Sequence, residues 1–279
     1  MIRVALPSRG RLRDEVITLL DHAGFSISPF RGADARATIE GIEFIEMRPR
    51  DAAAWLAAGR LTAAFISTDI AMEFELDTWP AADLGFAKSD LVLAARDDDE
   101  RRTAADFAGG VVATHMPAVT RGWFESRAID VTVVPMGGAL EGVCAAGLAD
   151  AIVDLRETGA SLARNRLRVV EEMQACQARF VRTADSGAEL ADLELRIGAA
   201  LDARQRQYLL LHLPPDRLDE LTALFHGLAS PTVLPLSERD DLVAAHLVVE
   251  RSDLWAKLGK LREIGATGIV ALPTDAVLP

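Results

Sequence analysis

An apolar segment in the middle of the chain most restricts the folds that the sequence can adopt. Residues 148–155 are apolar except for Asp150 and Asp154, which is the pattern of a strand buried on both faces of a parallel sheet. In open α/β sheets, ligands bind beyond the carboxyl ends of the strands, and Asp154 stands at that predicted end. The segment therefore predicts an α/β protein with a polar site behind this strand.

The loop after this strand has the composition of a phosphate site. Gly159 allows a tight turn in which successive N–H groups form an anion nest, and Thr158 and Ser161 add hydroxyl donors. The predicted loop consists of Glu157, Thr158, Gly159, Ala160 and Ser161. Asp154 can accept hydrogen bonds from ribose hydroxyls or approach a magnesium ion. The alternative is a strand, a turn and a helix N-cap without a ligand.

The composition excludes several classes of protein. With 279 residues, half of them hydrophobic, the chain can bury large cores and is expected to form two or three domains. A formal charge of −12 argues against nucleic-acid binding. No apolar run reaches membrane-spanning length and no signal-like leader precedes Ile2, so we expect a cytoplasmic protein with no membrane partner. Cys144 and Cys176 are too few for a disulfide framework and are expected to be buried.

Strand and helix patterns alternate through the first two thirds of the chain. Strands are predicted at 2–6, 42–47, 63–66, 91–95, 110–114, 131–135 and 149–154. Helices are predicted at 12–23 and 51–58, the second with Asp51 as its N-cap. A two-lobed α/β protein with a cleft needs a split first domain. We therefore predict a first lobe at 1–89 with a return segment at 176–186, and a second lobe at 90–175.

The last third, residues 187–279, has a different pattern. A connecting helix at 188–206 is followed by the order β-α-β-β-α-β, which is ferredoxin-like. The predicted strands lie at 207–213, 232–236, 242–249 and 268–271, and the helices at 216–228 and 253–264. Such a module either regulates the preceding lobes or serves only for oligomerisation.

Motifs along the whole chain resemble those of the ATP phosphoribosyltransferase family in its long form, the first enzyme of histidine biosynthesis. The matching segments are Val4-Ala-Leu-Pro-Ser-Arg-Gly-Arg-Leu12, Met47-Arg-Pro-Arg-Asp51, Val112-Ala-Thr-His-Met-Pro117, Glu141, Gly147-Leu-Ala-Asp-Ala-Ile-Val-Asp154, Thr158-Gly-Ala-Ser-Leu162, Tyr208-Leu-Leu-Leu-His-Leu-Pro214 and Ser230-Pro-Thr-Val-Leu-Pro-Leu236. The resemblance implies a periplasmic-binding-protein-like pair of catalytic lobes and an ACT-like, ferredoxin-like C-terminal regulatory domain.

The resemblance also implies a reaction, in which the 5-phosphoribosyl group of phosphoribosyl pyrophosphate moves to N1 of ATP and pyrophosphate leaves. The implied catalytic residues are Arg11, Glu141 and Asp154, and the phosphoribose site is Asp154 with residues 157–161. The implied nucleotide and pyrophosphate site consists of Arg9, Arg11, Arg48, Arg50, Asp69 and Thr114. Glu141 and Asp154 are expected to approach a Mg²⁺ ion, partly through substrate.

Regulation is a further implication of the resemblance. Free histidine is expected to bind between C-terminal domains and to favour a closed, inactive hexamer, so the chain is expected to form homo-oligomers from dimer to hexamer. The implied effector residues are His212, Ser230 and Thr232.

One segment departs from the family pattern. Where the family has Asp-Leu/Phe-Gly-Ile-Thr/Ile-Gly, this chain has Ala63-Ala-Phe-Ile-Ser-Thr68, so Phe65 and Thr68 replace two glycines. Ile70 replaces an acidic or amide residue, and Met116 replaces an aromatic one. These departures favour the alternative of a related phosphoribosyltransferase with another acceptor base. A non-catalytic two-lobed binding or regulatory protein is the second alternative, since fold alone does not establish chemistry.

Overall fold

The computed structural model describes residues 1–32, 34–225, 228 and 230–278. The chain divides into two compact units. The first consists of Met1–Thr18 and Ser26–Glu189, and the second of Leu19–Phe25 and Leu190–Pro279. None of the helices in the described part of the chain is long and apolar enough to cross a membrane.

Strands and helices alternate along most of the described residues. The strands are β1 (Ile2–Pro7), β2 (Arg36–Ile39), β3 (Ile42–Met47), β4 (Ala63–Ser67), β5 (Ala81–Asp83), β6 (Ser89–Arg96), β7 (Val111–Thr114), β8 (Thr132–Pro135), β9 (Ala151–Arg156), β10 (Leu167–Cys176), β11 (Ala178–Arg182), β12 (Arg206–Leu213), β13 (Thr232–Leu236), β14 (Arg239–Glu250) and β15 (Thr267–Pro273). The α-helices are α1 (Gly10–His22), α2 (Ser28–Arg31), α3 (Pro49–Ala57), α4 (Thr68–Glu73), α5 (Pro117–Glu125), α6 (Leu140–Ala145), α7 (Ala160–Arg164), α8 (Gly187–Arg204), α9 (Leu218–Leu224) and α10 (Arg251–Glu263). Short 3₁₀ turns lie at Ala104–Phe107, Ala184–Ser186 and Pro215–Arg217.

The first unit contains two mixed sheets, which we call lobe I and lobe II together with their helices. The lobe I sheet has the order β2-β3-β1-β4-β11-β5, and the lobe II sheet has the order β10-β6-β9-β7-β8. Parallel pairs join β1 to β3 and β4, and β7 to β8 and β9. A parallel pair needs a crossover connection between its strands, and in both lobes these connections contain helices. The predicted two-lobed α/β architecture is therefore present.

Two segments connect the lobes. The chain leaves lobe I between β5 and β6 and returns between β10 and β11. The two segments lie side by side, because the Leu84 N–H donates to the Ala178 carbonyl at 3.0 Å and the Ala178 N–H donates to the Phe86 carbonyl at 2.9 Å. Strand β11 then inserts between β4 and β5 of the lobe I sheet.

The central strand differs from its prediction in extent and in surroundings. It begins at Ala151 and continues to Arg156, whereas Leu148 lies in a turn and is 75% exposed. Asp150 also precedes the strand. Its carboxylate accepts the Val111 N–H and forms an ion pair with Arg101. The expected parallel pairing is present on one side of this strand, with β7, whereas β6 runs antiparallel to β9 on the other side, so the sheet is mixed.

Helix α3 begins earlier than predicted. Its first residue is Pro49, its N-cap is Arg48, and Asp51 lies in the first turn instead of capping the helix. Proline suits this position, because the N–H that it lacks would have no partner inside the helix.

The second unit contains an antiparallel sheet with the order β13-β14-β12-β15, which is the ferredoxin-like arrangement that the sequence predicts. One face packs against α9 and α10, with the buried residues Leu209, Leu211, Leu213, Leu221, Leu247, Leu254 and Leu261. The opposite face includes Leu234 and Leu272, which are 47% and 46% exposed. Helix α9 ends at Leu224, short of the predicted 228. Residues 226 and 227 of that prediction lie outside the described residues.

Candidate active site

The ends of five strands carry the residues that the sequence singles out. In lobe I, β1, β3 and β4 lead into α1, α3 and α4, and in lobe II, β7 and β9 lead into α5 and α7. The residues at these ends are Arg9, Arg11, Arg48, Arg50, Asp69, Thr114, Asp154 and the loop at 157–161. Carboxyl ends of strands are where α/β proteins place ligands.

The loop at 157–161 turns at Gly159. This residue has φ +76° and is the N-cap of α7. A Cβ at this position would touch only the Arg156 side chain, at 3.8 Å. Glycine is therefore favoured by the left-handed backbone conformation and not by lack of space. Thr158 Oγ1 accepts the Ala160 N–H at 3.4 Å, so its own hydroxyl proton stays available to a ligand.

Glu141 lies next to this loop. It is in the first turn of α6, and its carboxylate accepts the hydroxyl of Ser161. This hydrogen bond is the main reason that the pKa of Glu141 is lowered, with smaller contributions from His115 and Arg164. The Glu141 carboxylate is therefore charged near neutral pH, and it orients one hydroxyl of the loop.

Asp154 is the second acidic group at the loop. It lies near the end of β9, half-buried, and accepts the N–H of Leu155 at 2.8 Å. Burial raises the pKa of Asp154, and the neighbouring Glu141 and Asp69 carboxylates raise it further, while His115 lowers it. A half-buried carboxylate beside two others favours binding of a cation or of hydroxyl donors.

Asp69 is the most deeply buried of these carboxylates. It is 1% exposed, and within the described residues neither carboxylate oxygen has a hydrogen-bond partner. Burial is the largest cause of its raised pKa. The Ser67 hydroxyl and the first amides of α4 favour the charged form without reaching hydrogen-bond geometry. A buried polar group without a partner destabilises a fold and is typical of functional sites.

We expect Asp69→Asn to stabilise the protein at neutral pH by about 1–3 kcal/mol, because the neutral amide removes the negative charge that burial disfavours. The folded pKa of Asp69 is raised, so the stability that its carboxyl contributes is complete below the unfolded value and is lost as pH rises through the folded value. The gain should therefore shrink as pH falls toward 3.8. Urea unfolding across this pH range measures it, with the exposed Asp77→Asn as control. If the variant and the wild type have equal free energies of unfolding at neutral pH, the buried Asp69 carboxylate does not destabilise the fold.

The predicted arginines differ in how they are held. Arg11 Nη1 lies 3.5 Å from Glu157 Oε2, with both side chains more than half exposed, so this link between the lobes is weak. Arg50 donates to the His115 carbonyl at 2.7 Å and to Glu73 at 3.1 Å, and is 45% exposed. Arg9 and Arg48 are exposed.

Thr114 has a structural role in this arrangement. It is fully buried, and its hydroxyl donates to the Val153 carbonyl at 2.9 Å while accepting the Met116 N–H at 2.9 Å. The hydroxyl thus joins β7 to β9 and is already occupied. The adjacent His115 Nδ1 lies 2.8 Å from the Met136 carbonyl oxygen.

The residues that depart from the family pattern are mostly buried. Phe65 is fully buried, and its ring packs at 4.8 Å from that of Phe180. Thr68 donates its hydroxyl to the Gln177 carbonyl at 3.2 Å, and its backbone is not in the left-handed region. Met116 and Ile70 are each 7% exposed. The two replaced glycines therefore correspond to a core side chain and to a link to the return segment.

Two cavities flank Glu157. One, of about 440 Å³, includes Lys88 and Gln177 of the connecting segments and Cys176 at the end of β10, and the other, of about 350 Å³, includes Thr158 and Gly159. In the described part of the chain no three His, Cys, Asp or Glu residues form a metal cluster. Magnesium in phosphate sites commonly uses one or two carboxylates and substrate oxygens, which Asp154 and Glu141 can supply.

The implied effector residues lie apart within one chain. His212 is on β12 and Thr232 is on β13, and β14 runs between these strands, because Ala244 pairs with His212 and His246 pairs with Thr232. Ser230 is exposed. His212 and Thr232 therefore do not lie on adjacent strands, because β14 runs between them.

Glu73 was not predicted to belong to the site. Its side chain is 4% exposed, and it contacts Arg50 and the first turn of α5. The one signal in the sequence is an acidic residue between Met72 and Phe74 in a mostly apolar segment, which does not identify its partners.

The fold and these residues define a two-lobed α/β protein with a glycine-containing loop beside two carboxylates, Asp154 and Glu141, and a ferredoxin-like C-terminal domain. A family model described as ATP phosphoribosyltransferase matches residues 48–199, and one described as the HisG C-terminal domain matches residues 203–276. The chain belongs to the ATP phosphoribosyltransferase family, as the motifs predict. It is accordingly an enzyme that transfers a phosphoribosyl group.

Similar proteins cover the whole chain. An ATP phosphoribosyltransferase of Methanopyrus kandleri is 32% identical over 283 residues, and one of Gemmatimonas aurantiaca is 33% identical over 293 residues, each with all of both chains covered. A solved ATP phosphoribosyl transferase (HisG:HisZ) complex from Thermotoga maritima is 27% identical, with a TM-score of 0.60. That match covers 71% of this chain and 99% of the other.

Proposed function

We propose that this protein transfers the 5-phosphoribosyl group of phosphoribosyl pyrophosphate to N1 of the adenine of ATP and releases pyrophosphate, as the first step of histidine biosynthesis. The observation that carries the proposal is the loop at 157–161, which turns at Gly159 beside two carboxylates, Asp154 and Glu141. The amide donors of the loop suit a phosphate, and the neighbouring carboxylates suit the hydroxyls of a ribose attached to it.

In this proposal the loop binds the 5-phosphate. Backbone N–H groups after Gly159 and the Thr158 hydroxyl donate to phosphate oxygens, and the Ser161 hydroxyl turns from Glu141 to the phosphate when it binds. Before the phosphate binds, Glu141 holds Ser161 beside the loop through its hydrogen bond. Asp154 accepts hydrogen bonds from the ribose hydroxyls, which fixes the sugar carbon that is attacked.

The chemistry requires positioning and charge more than a protein nucleophile. The attacked carbon becomes oxocarbenium-like and the leaving pyrophosphate gains negative charge. Arg11, at the start of α1, and Arg50, at the start of α3, supply positive charge near the departing group, with Arg9 and Arg48 beside them. The Arg11 pair with Glu157 is weak and exposed, so a phosphate can displace the carboxylate.

Magnesium would neutralise the pyrophosphate and polarise its bond to the sugar. Asp154 and Glu141 are the residues that would hold the ion, together with oxygens of the substrate. Asp69 lies close enough to influence the pKa of Asp154 and adds negative charge on the lobe I side.

ATP as acceptor is tested by direct assay. The purified protein is mixed with phosphoribosyl pyrophosphate, Mg²⁺ and ATP, and then with each other purine nucleotide in place of ATP. Pyrophosphate release and an adduct of the expected mass with ATP support the proposal. An adduct with a different base alone would favour the related-transferase alternative, and no adduct with any base would favour the non-catalytic one.

We also propose that histidine inhibits the enzyme through the C-terminal domain. The uncovered face of its sheet, with Leu234, Val270 and Leu272 each more than 45% exposed, is suited to pairing with another copy of the chain. Such pairing supports homo-oligomers from dimer to hexamer. Because β14 separates His212 from Thr232 within one chain, a histidine site between copies of the domain can combine such residues from different chains.

Histidine is expected to lower activity about 5- to 150-fold at saturation, the range of ordinary allosteric coupling. His212→Ala should raise the histidine concentration for half-inhibition about tenfold or more, because one hydrogen bond to a charged ligand is lost. Activity and sedimentation are measured in a histidine titration. His22→Ala, on α1 and outside the four-stranded sheet, is the control. If millimolar histidine changes neither activity nor assembly of the wild type, the domain serves only for oligomerisation.

A further inference from the structure

One buried carboxylate connects the two lobes. Glu73 is the last residue of α4 in lobe I, and its side chain is 4% exposed. Its Oε2 accepts the N–H groups of Ala118 at 2.9 Å and Val119 at 3.1 Å, both in the first turn of α5 in lobe II. Its Oε1 accepts Nη2 of Arg50 from lobe I at 3.1 Å.

Helix α5 needs this acceptor. The first N–H groups of a helix have no partner within the helix, and a side chain at the N-cap usually supplies one. The N-cap of α5 is Met116, whose side chain makes no capping hydrogen bond. Glu73 therefore takes the place of a capping residue from the other lobe, and its negative charge is favourable at this end of the helix.

Arg50 adds a second contact between the lobes. Its Nη1 donates to the His115 carbonyl at 2.7 Å, just before α5, while its guanidinium lies 5.2 Å from the centre of the Phe74 ring. With Nη2 paired to Glu73, the direction of the guanidinium is fixed at both ends. The side chain is nevertheless 45% exposed, so part of it stays available to an anionic ligand.

We propose that Glu73 is a positioning residue for phosphoribosyl transfer. It directs Arg50 toward the leaving pyrophosphate and fixes α5 of lobe II against lobe I, so that both halves of the site keep their separation. This inference rests on the proposed function for its kinetic part only. The structural part, a carboxylate of lobe I that caps a helix of lobe II, is independent of the reaction.

The test compares Glu73→Ala and Glu73→Gln with Glu125→Gln, an exposed residue at the other end of α5. Amide hydrogen exchange at Ala118 and Val119 reports the cap directly. We expect exchange about 10- to 100-fold faster in Glu73→Ala, from the loss of hydrogen bonds to a charged group. Glu73→Gln keeps one acceptor oxygen and should fall between Glu73→Ala and the wild type. The control should exchange as the wild type does.

Kinetics tests the positioning role. We expect kcat/KM to fall about 10- to 100-fold in Glu73→Ala. The double variant with Arg50→Ala should lose little more than Arg50→Ala alone, because Glu73 acts through that side chain. Unchanged exchange at Ala118 and Val119 in Glu73→Ala overturns the cap, and full additivity with Arg50→Ala overturns the positioning role. A wild type that is inactive with phosphoribosyl pyrophosphate contradicts the proposed function and not the cap. In that case hydrogen exchange at Ala118 and Val119 alone tests whether Glu73 caps α5. If Glu73→Ala does not fold, Glu73→Gln serves for both measurements.

Discussion

Thr158→Ala combined with Ser161→Ala is expected to weaken binding of phosphoribosyl pyrophosphate by about 100- to 10,000-fold. Each hydroxyl would donate to a charged phosphate, and such a hydrogen bond contributes about 1.5–3 kcal/mol. Thr158 is exposed in the loop, and the Ser161 hydroxyl exchanges its hydrogen bond to Glu141 for one to the phosphate. Isothermal titration calorimetry measures the affinity, and circular dichroism establishes that the variant is folded.

The matched control removes a threonine and a serine elsewhere in lobe II. Thr132→Ala with Ser126→Ala changes two exposed residues away from the loop and should leave the affinity unchanged. Ser161→Ala alone should also raise the pKa of Glu141, because the Ser161 hydroxyl is the main cause of its lowered value. An affinity in the double variant equal to that of the wild type would refute the assignment of the phosphate site.

Asp154→Asn is expected to lower kcat/KM about 100- to 1,000-fold, the usual effect of removing one preorganised electrostatic contact. The amide cannot balance positive charge on the sugar or hold a magnesium ion as a carboxylate does. The exposed Asp130→Asn in the same lobe is the control. Steady-state kinetics with saturating Mg²⁺ gives the ratio, and activity within threefold of the wild type would exclude Asp154 from the reaction.

The pH dependence separates this role from a structural one. Burial raises the pKa of Asp154, so the active carboxylate should form only as pH rises through that raised value, which moves the acidic limb of the rate profile upward. Because the folded pKa of Asp154 is raised, the ionised side chain destabilises the folded state. The stability that the protonated side chain contributes at low pH is lost as pH rises through the folded pKa. Asp154→Asn should thus lose activity without losing thermal stability near neutral pH.

Local patterns predicted much of the fold, with instructive exceptions. The prediction at 42–47 coincides with β3, where four apolar residues, two of them β-branched, favour a strand although Glu43 and Glu46 interrupt them. Strand β10 was not predicted, because its side chains do not alternate regularly. Its pairing with β6 shifts register between Val169 and Glu171 and again between Glu172 and Gln174, and such bulges interrupt the two-residue period that reveals a strand.

The candidate site was predictable only where its residues are adjacent in sequence. The loop around Gly159 could be assigned from one short segment, because its turn and its hydroxyls lie within five residues. The contacts between Ser161 and Glu141 and between Glu73 and α5 join residues 20 and 45 positions apart. No local pattern encodes such pairs. Leu148 was misassigned for a related reason, since an apolar side chain does not reveal that its position is exposed.

The insertion of β11 between β4 and β5 has a consequence for the order in which the chain acquires its structure. On the ribosome, β1 to β5 emerge first, but among the described strands β5 pairs with β11 alone, which is synthesised after the whole of lobe II. Lobe II is one continuous stretch and can complete its sheet as soon as β10 has emerged. The first segment to be made must therefore wait with an unfinished sheet edge, a state in which nascent chains are prone to mispair.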